Sequence, residues 1–197
     1  MKPFPNKKYN IIYADPPWKY WMGGNRNQSK YYNCMTIEEI CSLSVLDIAD
    51  DNCMLFLWVT FPILNRCFEV IKSWGFEFST CGFVWVKGKK KFDDKQTSFL
   101  PKDSIEDFVG CGYWTRANAE LCLIGKRGSL ERKSKSVRQI VYAPVREHSR
   151  KPDETRNRII ELMGDLPRIE LFARQKIDGW DCWGNEIKEK ENHDREI

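Results

Sequence analysis

The sequence predicts an α/β protein with a doubly wound, mostly parallel sheet. Its short apolar runs are continuous rather than alternating, as strands buried on both faces of a covered sheet must be. Stretches with helical spacing separate several of these runs, the alternation that builds a doubly wound fold. The chain has 197 residues, 42% of them hydrophobic. That length buries about 70% of the unfolded surface in one core, with no need of disulfides or metal.

The elements follow in order. Tyr9–Ala14 reads as the first strand and Cys53–Val59 as the second. Gly82–Val86, Glu120–Ile124 and Arg168–Phe172 read as three more, with Gln139–Ala143 a weaker sixth. Thr36-Ile-Glu-Glu39 is a capping-box pattern that opens a helix. From Pro62 to Trp74, Ile63, Leu64, Cys67, Val70 and Ile71 recur at helical spacing, and Gly75 stops the run. Pro152-Asp-Glu-Thr places a proline and two acids in a first turn; apolar residues follow from Ile159, and Gly164 ends the helix. Two polar stretches, Lys19–Asn33 and Lys87–Gly112, break the alternation. Loops of that length in a compact domain are usually either functional or disordered. One domain is expected over residues 1–187, followed by a charged, fraying tail over 188–197.

Composition excludes several classes. The net charge of +4 permits a polyanionic partner without requiring one. No signal peptide or spanning segment is visible, and the apolar run Cys53–Val59 is far too short to cross a bilayer. A cytoplasmic location is expected. None of the eight cysteines forms a C-x-x-C pair, and only His148 and His193 could add imidazole ligands. Reduced thiols and no metal site are expected. Aromatic residues make up 13% of the chain, eight of them Trp. Such rings either fill a core or meet flat ligands such as nucleobases.

The sharpest feature is Asp15-Pro16-Pro17-Trp18, directly after the first strand. Ligands of doubly wound sheets bind just past the carboxyl ends of strands. Two prolines fix φ and remove two backbone donors, leaving a stiff segment whose carbonyls act as acceptors. Asp15 adds an anionic acceptor and Trp18 a flat face. Two acceptors beside an aromatic face suit a planar group bearing an NH₂, such as adenine or cytosine. Holding both N–H bonds favours the pyramidal nitrogen and the positive charge that grow as that nitrogen attacks carbon. A buried turn around Trp18 is the plainer alternative.

With this motif go Tyr32-Asn-Cys-Met-Thr36, Leu55-Phe-Leu-Trp-Val59, Trp85-Val-Lys87, Glu120-Leu-Cys-Leu-Ile-Gly125, Lys151-Pro-Asp-Glu154, Ile169-Glu-Leu-Phe-Ala-Arg174 and Gly184-Asn185. In content and order they resemble the MT-A seventy family of amino-methyltransferases, over roughly residues 9–186. The resemblance implies a Rossmann-like methyltransferase with its catalytic motif before its cofactor-strand motif. It implies S-adenosylmethionine as methyl donor, Asp15, Pro16, Pro17 and Trp18 as the catalytic segment, and adenine N6 as target. Ala14, Asp15, Glu170, Leu171, Phe172 and Arg174 would line the donor site, with Asn185 and Glu186 at its ribose or adenine end. Glu186 stands where the family often has Gln. Lys176 stands where one branch has His and would face the donor's carboxylate. Ala119 replaces a Lys of that same branch. Tyr32 would border the target base, on which Trp18 would stack.

The nucleic-acid partner is expected to be DNA rather than RNA, since the chain has the compactness of bacterial and phage members. Duplex DNA would require base flipping. RNA adenosine methylation, cytosine N4 methylation and a catalytically inactive nucleic-acid-binding subunit are the alternatives. Lys87, Lys89, Lys90 and Lys91 are expected at phosphates. Trp58, Trp74 and Trp85 are expected in the core, while Trp21 and Trp114, in polar surroundings, are candidates for substrate contact.

Overall fold

The computed structural model describes residues 2–20, 34–88, 108–110, 112, 114–147 and 150–187. Seven strands form one sheet: β1 (Tyr9–Ala14), β2 (Ala49–Val59), β3 (Glu77–Gly88), β4 (Ala119–Arg127), β5 (Ile140–Pro144), β6 (Arg168–Leu171) and β7 (Asp181–Trp183). Their spatial order is β5-β3-β4-β2-β1-β6-β7. β1 runs parallel to β2 and β6, β5 to β3, and β7 to β6, whereas β4 is antiparallel to both its neighbours. The sheet is therefore mixed, with one reversed strand in an otherwise parallel array. The reversal is invisible in the apolar pattern, because a strand covered on both faces reads the same in either direction.

Helices α1 (Ile37–Cys41), α2 (Cys67–Ser73) and α3 (Asp153–Met163) cover both faces. Ile12, Ala14, Leu55, Leu57 and Val59 point to the side packed by Ile37 and Ile40 of α1 and Val70 and Ile71 of α2. Their strand neighbours Ile11, Tyr13, Phe56 and Trp58 point to the side packed by Ile159 and Met163 of α3. The period of two along each strand thus divides the interior into two cores. Trp58, Trp74 and Trp85 are fully buried. Burying rings of this size contributes on the order of 4–6 kcal/mol each from area alone.

The capping box forms as the sequence predicts: Glu39 N–H donates to Thr36 Oγ1 at 3.2 Å and Thr36 N–H to Glu39 Oε2 at 2.7 Å. The helix expected from Pro62 to Trp74 is shorter. A 3-10 turn at Phe61–Ile63 precedes α2, with i→i+3 bonds at Leu64 and Arg66. This tighter winding still turns Ile63 and Cys67 inward. Gly75 (φ 83°) and Gly164 (φ 87°) stop α2 and α3 in left-handed conformations that suit glycine. Strand β7 was not foreseen. Three residues are too few for a periodic signal.

One edge of the sheet positions the site. Ala14 pairs with Leu57 and Leu171, Leu171 with Trp183, and Val59 with Leu121. The segments starting at Asp15, Thr60 and Phe172 and the turn leading into β4 therefore emerge side by side. The chain leaves β1 for β2 on one side and reaches β6 on the other. The β1–β6 crevice is a topological switch point, where such sheets bind ligands.

Candidate active site

Asp15 is the first residue past β1 and is 24% exposed. Its Oδ2 accepts from Lys151 Nζ at 2.8 Å. The same ammonium stands 3.1 Å from Glu120 Oε2, and Lys87 Nζ donates to Glu120 Oε1 at 2.6 Å. Two carboxylates and two ammoniums thus alternate in a line running inward from the site. Lys151 and Glu120 are only 7% and 8% exposed at their side chains. Trp58 and Trp85 present ring faces to Lys151 and Lys87 at 5.8 and 5.1 Å.

Burial disfavours charge on every member of this line, and the partners decide the outcome. For Asp15 burial dominates and lifts the carboxyl above its ordinary range despite Lys151. For Glu120 burial is outweighed by Lys151 and Lys87, and its carboxyl lies below its ordinary value. For Lys151 burial is outweighed by Asp15 and Glu120, and the ammonium is held more firmly than usual. Asp15 is therefore the member most ready to take up a proton.

The rest of the motif forms a stitched turn. Trp18 N–H donates to Pro16 O at 2.9 Å, Met35 N–H to Pro17 O at 2.8 Å and Lys19 N–H to Met35 O at 2.8 Å. Trp18 is 5% exposed, and its Nε1 donates to Trp58 O at 2.9 Å. The expectation that Trp18 stacks on a base is corrected accordingly. Its ring packs against the core, and its indole anchors the turn to the end of β2.

Two cavities meet at Asp15. One, of about 480 Å³, is lined by Asp15, Pro17, Glu39, Arg174, Asn185 and Glu186, with Cys34, Met35, Phe172, Trp183 and Gly184 among its other walls. The other, of about 180 Å³, is lined by Asp15, Arg150, Lys151, Arg156, Glu170 and Arg174, again with Phe172. Phe172 lies between the two and has φ 59°, a left-handed conformation that strains a bulky residue. Trp183 braces its ring edge-on at 5.6 Å. Glu170 is held bidentately by Arg156, at 2.8 and 2.7 Å. Asp153 holds the same guanidinium at 2.8 Å.

Asp15, Glu170, Phe172, Arg174, Asn185 and Glu186, the residues that the resemblance names, thus line the two adjoining cavities. Other expectations need correction. Ala14 and Leu171 are fully buried behind the site and line neither cavity. Lys176 is exposed and lines neither, because the turn after β6 carries it outward. Pro16 is buried, and its carbonyl, the expected acceptor, takes the Trp18 amide. Lys87 does not extend toward phosphates; its ammonium is spent on Glu120 inside the molecule. Tyr32, Lys89, Lys90, Lys91, Trp21 and His148 lie outside the described residues. Lys151 and Glu120 lie in the family-like segments of the sequence, but no role for them is evident there. The available signal was their charge, embedded in or beside apolar runs.

A model of the MT-A70 family matches residues 9–186. The chain belongs to the MT-A70 family. Its members are adenine N6-methyltransferases that use S-adenosylmethionine, and this chain is an enzyme of that class. It is 32% identical to Type II methyltransferase M.MunI of Mycoplasma sp., over 93% of this chain and 79% of that protein. It is 30% identical to the N(6)-adenosine-methyltransferase MT-A70-like protein of Arabidopsis thaliana, over 91% of this chain and 24% of that protein. Identity is again 30% with the N(6)-adenosine-methyltransferase catalytic subunit METTL3 of Homo sapiens, over 91% of this chain and 28% of that protein. The chain thus spans about a quarter of the adenosine methyltransferases and most of M.MunI. Among the described residues no helix is long and apolar enough to cross a membrane.

The cavities fit the family's methyl donor. A cavity of about 480 Å³ falls within the range of small-molecule sites, roughly 300–1,000 Å³. A Cβ at Gly184 would run into the Ala173 carbonyl, so this wall is backbone packed on backbone. Asn185 and Glu186 at its rim offer amide and carboxylate groups to a nucleoside. The smaller cavity gathers Arg150, Lys151, Arg174 and the Arg156–Glu170 pair, groups that match a zwitterionic amino-acid end.

Proposed function

We propose that this chain transfers a methyl group from S-adenosylmethionine to N6 of adenine in DNA, in a Rossmann-like fold whose catalytic motif precedes its cofactor-strand motif. The observation that carries this reading is Asp15, held by Lys151 at 2.8 Å where two cavities of complementary chemistry meet. Asn185 and Glu186 would hold the donor's nucleoside. Arg174 and Lys151 would hold its carboxylate, and Asp15 its positive end. The bound donor supplies an electrophilic methyl group on a sulfonium.

The protein's part is positioning and electrostatics. Lys151 occupies Oδ2 of Asp15, while Oδ1 has no hydrogen bond among the described residues. Oδ1 accepts one N–H of the target amine. The Pro16 carbonyl spends one lone pair on the Trp18 amide and keeps the other for the second N–H. Both contacts strengthen as positive charge grows on nitrogen. The surplus proton then passes to Asp15, whose burial makes it a better acceptor than an exposed aspartate.

DNA is favoured over RNA because the Type II methyltransferase M.MunI is matched along most of both chains, whereas the adenosine methyltransferases are matched along only about a quarter of theirs. Flipping the target adenine out of the duplex would bring N6 to Asp15. Incubation with labelled S-adenosylmethionine and duplex DNA, single-stranded DNA or RNA, followed by digestion, tests the reading. N6-methyladenine is expected from DNA. Label in RNA alone would reassign the substrate, and label in none, with the donor bound, would refute the proposal.

A further inference from the structure

Among the tryptophans of the described residues, Trp18, Trp58, Trp74, Trp85, Trp180 and Trp183 are buried, whereas Trp114 is 91% exposed. We propose that Trp114 is the platform on which a nucleobase of the substrate strand stacks, beside the extruded adenine. The inference rests on the DNA-methyltransferase reading and deepens it.

Three observations support it. The first is position. The segment 114–118 leads into β4, whose first residue Ala119 pairs with Val86 and whose Leu121 pairs with Val59. The loop therefore leaves the sheet at the edge from which Asp15 emerges. Its last residue is pinned there, since Asn118 O accepts the Lys87 amide at 2.8 Å. From Lys87 the ion-pair line runs through Glu120 and Lys151 to Asp15.

The second is presentation. A Cβ at Gly112 would overlap the Thr115 carbonyl, and one at Gly110 the Ala117 carbonyl. At Gly112 and Gly110 only glycine fits against these carbonyls, and Trp114 adjoins the Thr115 carbonyl so packed. A large ring held on a tight turn offers its face at little entropic cost.

The third is chemistry. Arg116, also exposed, stands two residues further on. Aromatic platforms with cationic neighbours take bases of any identity, because every base has a π-face and every nucleotide a phosphate.

The test uses a fluorescently labelled duplex oligodeoxynucleotide containing adenine, read by anisotropy with the full-length protein. Trp114→Ala is expected to weaken binding about ten-fold, and Trp114→Phe to restore most of it. S-adenosylmethionine affinity, measured by calorimetry, should stay unchanged in both variants. Binding by Trp114→Ala as tight as that of the unaltered protein would overturn this inference alone. Failure of the unaltered protein to bind the duplex would overturn both it and the proposed function. Loss of donor binding in Trp114→Ala and Trp114→Phe alike would reassign the ring to folding.

Discussion

Lys151 and Asp15, 136 residues apart in sequence, meet at 2.8 Å between Nζ and Oδ2. The contact fixes which carboxylate oxygen stays available, and it tempers the rise that burial imposes on the Asp15 carboxyl. Replacing Lys151 with Met should lower kcat by about 10²-fold, the cost typical of losing one preorganised electrostatic partner. Steady-state methylation of an adenine-containing duplex measures it.

The pH dependence of catalysis follows from the same pair. Transfer needs ionised Asp15, so kcat should rise with pH through an apparent pKa above the ordinary 3.8. Lys151→Met removes the opposing charge and should shift that limb further upward. A pH–rate profile of both proteins checks the shift.

Stability should show a different profile. Glu120 and Asp153 are held below their ordinary values, by Lys151 and Lys87 and by the arginines around Asp153 respectively, against burial in each case. Their contribution is present above the unfolded-state values and lost as pH falls through the folded ones. Lys151 is raised above 10.5, so its contribution is present below that value and lost as pH climbs through the folded one. Asp15, raised by burial, has the opposite sign to Glu120 and offsets part of the acid loss. Buried thiols such as Cys53 and Cys122 are pushed above their ordinary 9.0 and lose their contribution as pH climbs past it, so thermal denaturation against pH should show a plateau between about pH 5 and 8.5 with loss on both sides.

Arg156 and Glu170 form a buried bidentate pair. Glu170→Ala leaves a guanidinium without its main partner, so a loss of about 3–5 kcal/mol is expected, on the order of 10 °C in Tm. Scanning calorimetry reports it. A loss below about 1 kcal/mol would show that the pair is not needed for the fold.

Gly184 packs against the Ala173 backbone in the wall of the larger cavity. Gly184→Ala must displace that wall, at a cost of about 1–3 kcal/mol. S-adenosylmethionine affinity should fall about ten-fold or more, measured by calorimetry.

Local features were legible where local physics decides them. The capping box at Thr36 and Glu39, the glycine stops at Gly75 and Gly164, and the turn at Asp15 all rest on residues within a few positions of each other. Glu170, Phe172 and Arg174 came from the resemblance as candidate donor contacts, and the β1–β6 crevice brings them beside Asp15. The line from Asp15 to Lys87 was not legible. It depends on β4 running backwards between β2 and β3, which places Glu120 within reach of Lys151. The same fact misdirected the reading of Lys87, whose charge looks like a surface cation in sequence and is half of an internal pair in space. Trp18 was misread for a related reason. A Trp after two prolines has the shape of a platform, but the carbonyl of Trp58 draws its indole inward.

The claim on which the account depends is that Asp15 grips the target amine. Asp15→Asn keeps the shape and removes the charge, and it should be assayed beside the unaltered protein for methyl transfer to duplex DNA and for S-adenosylmethionine binding. At saturating donor, transfer should fall at least about 10²-fold, with the fold intact and donor affinity lowered by less than that. Transfer at the full rate would contradict it.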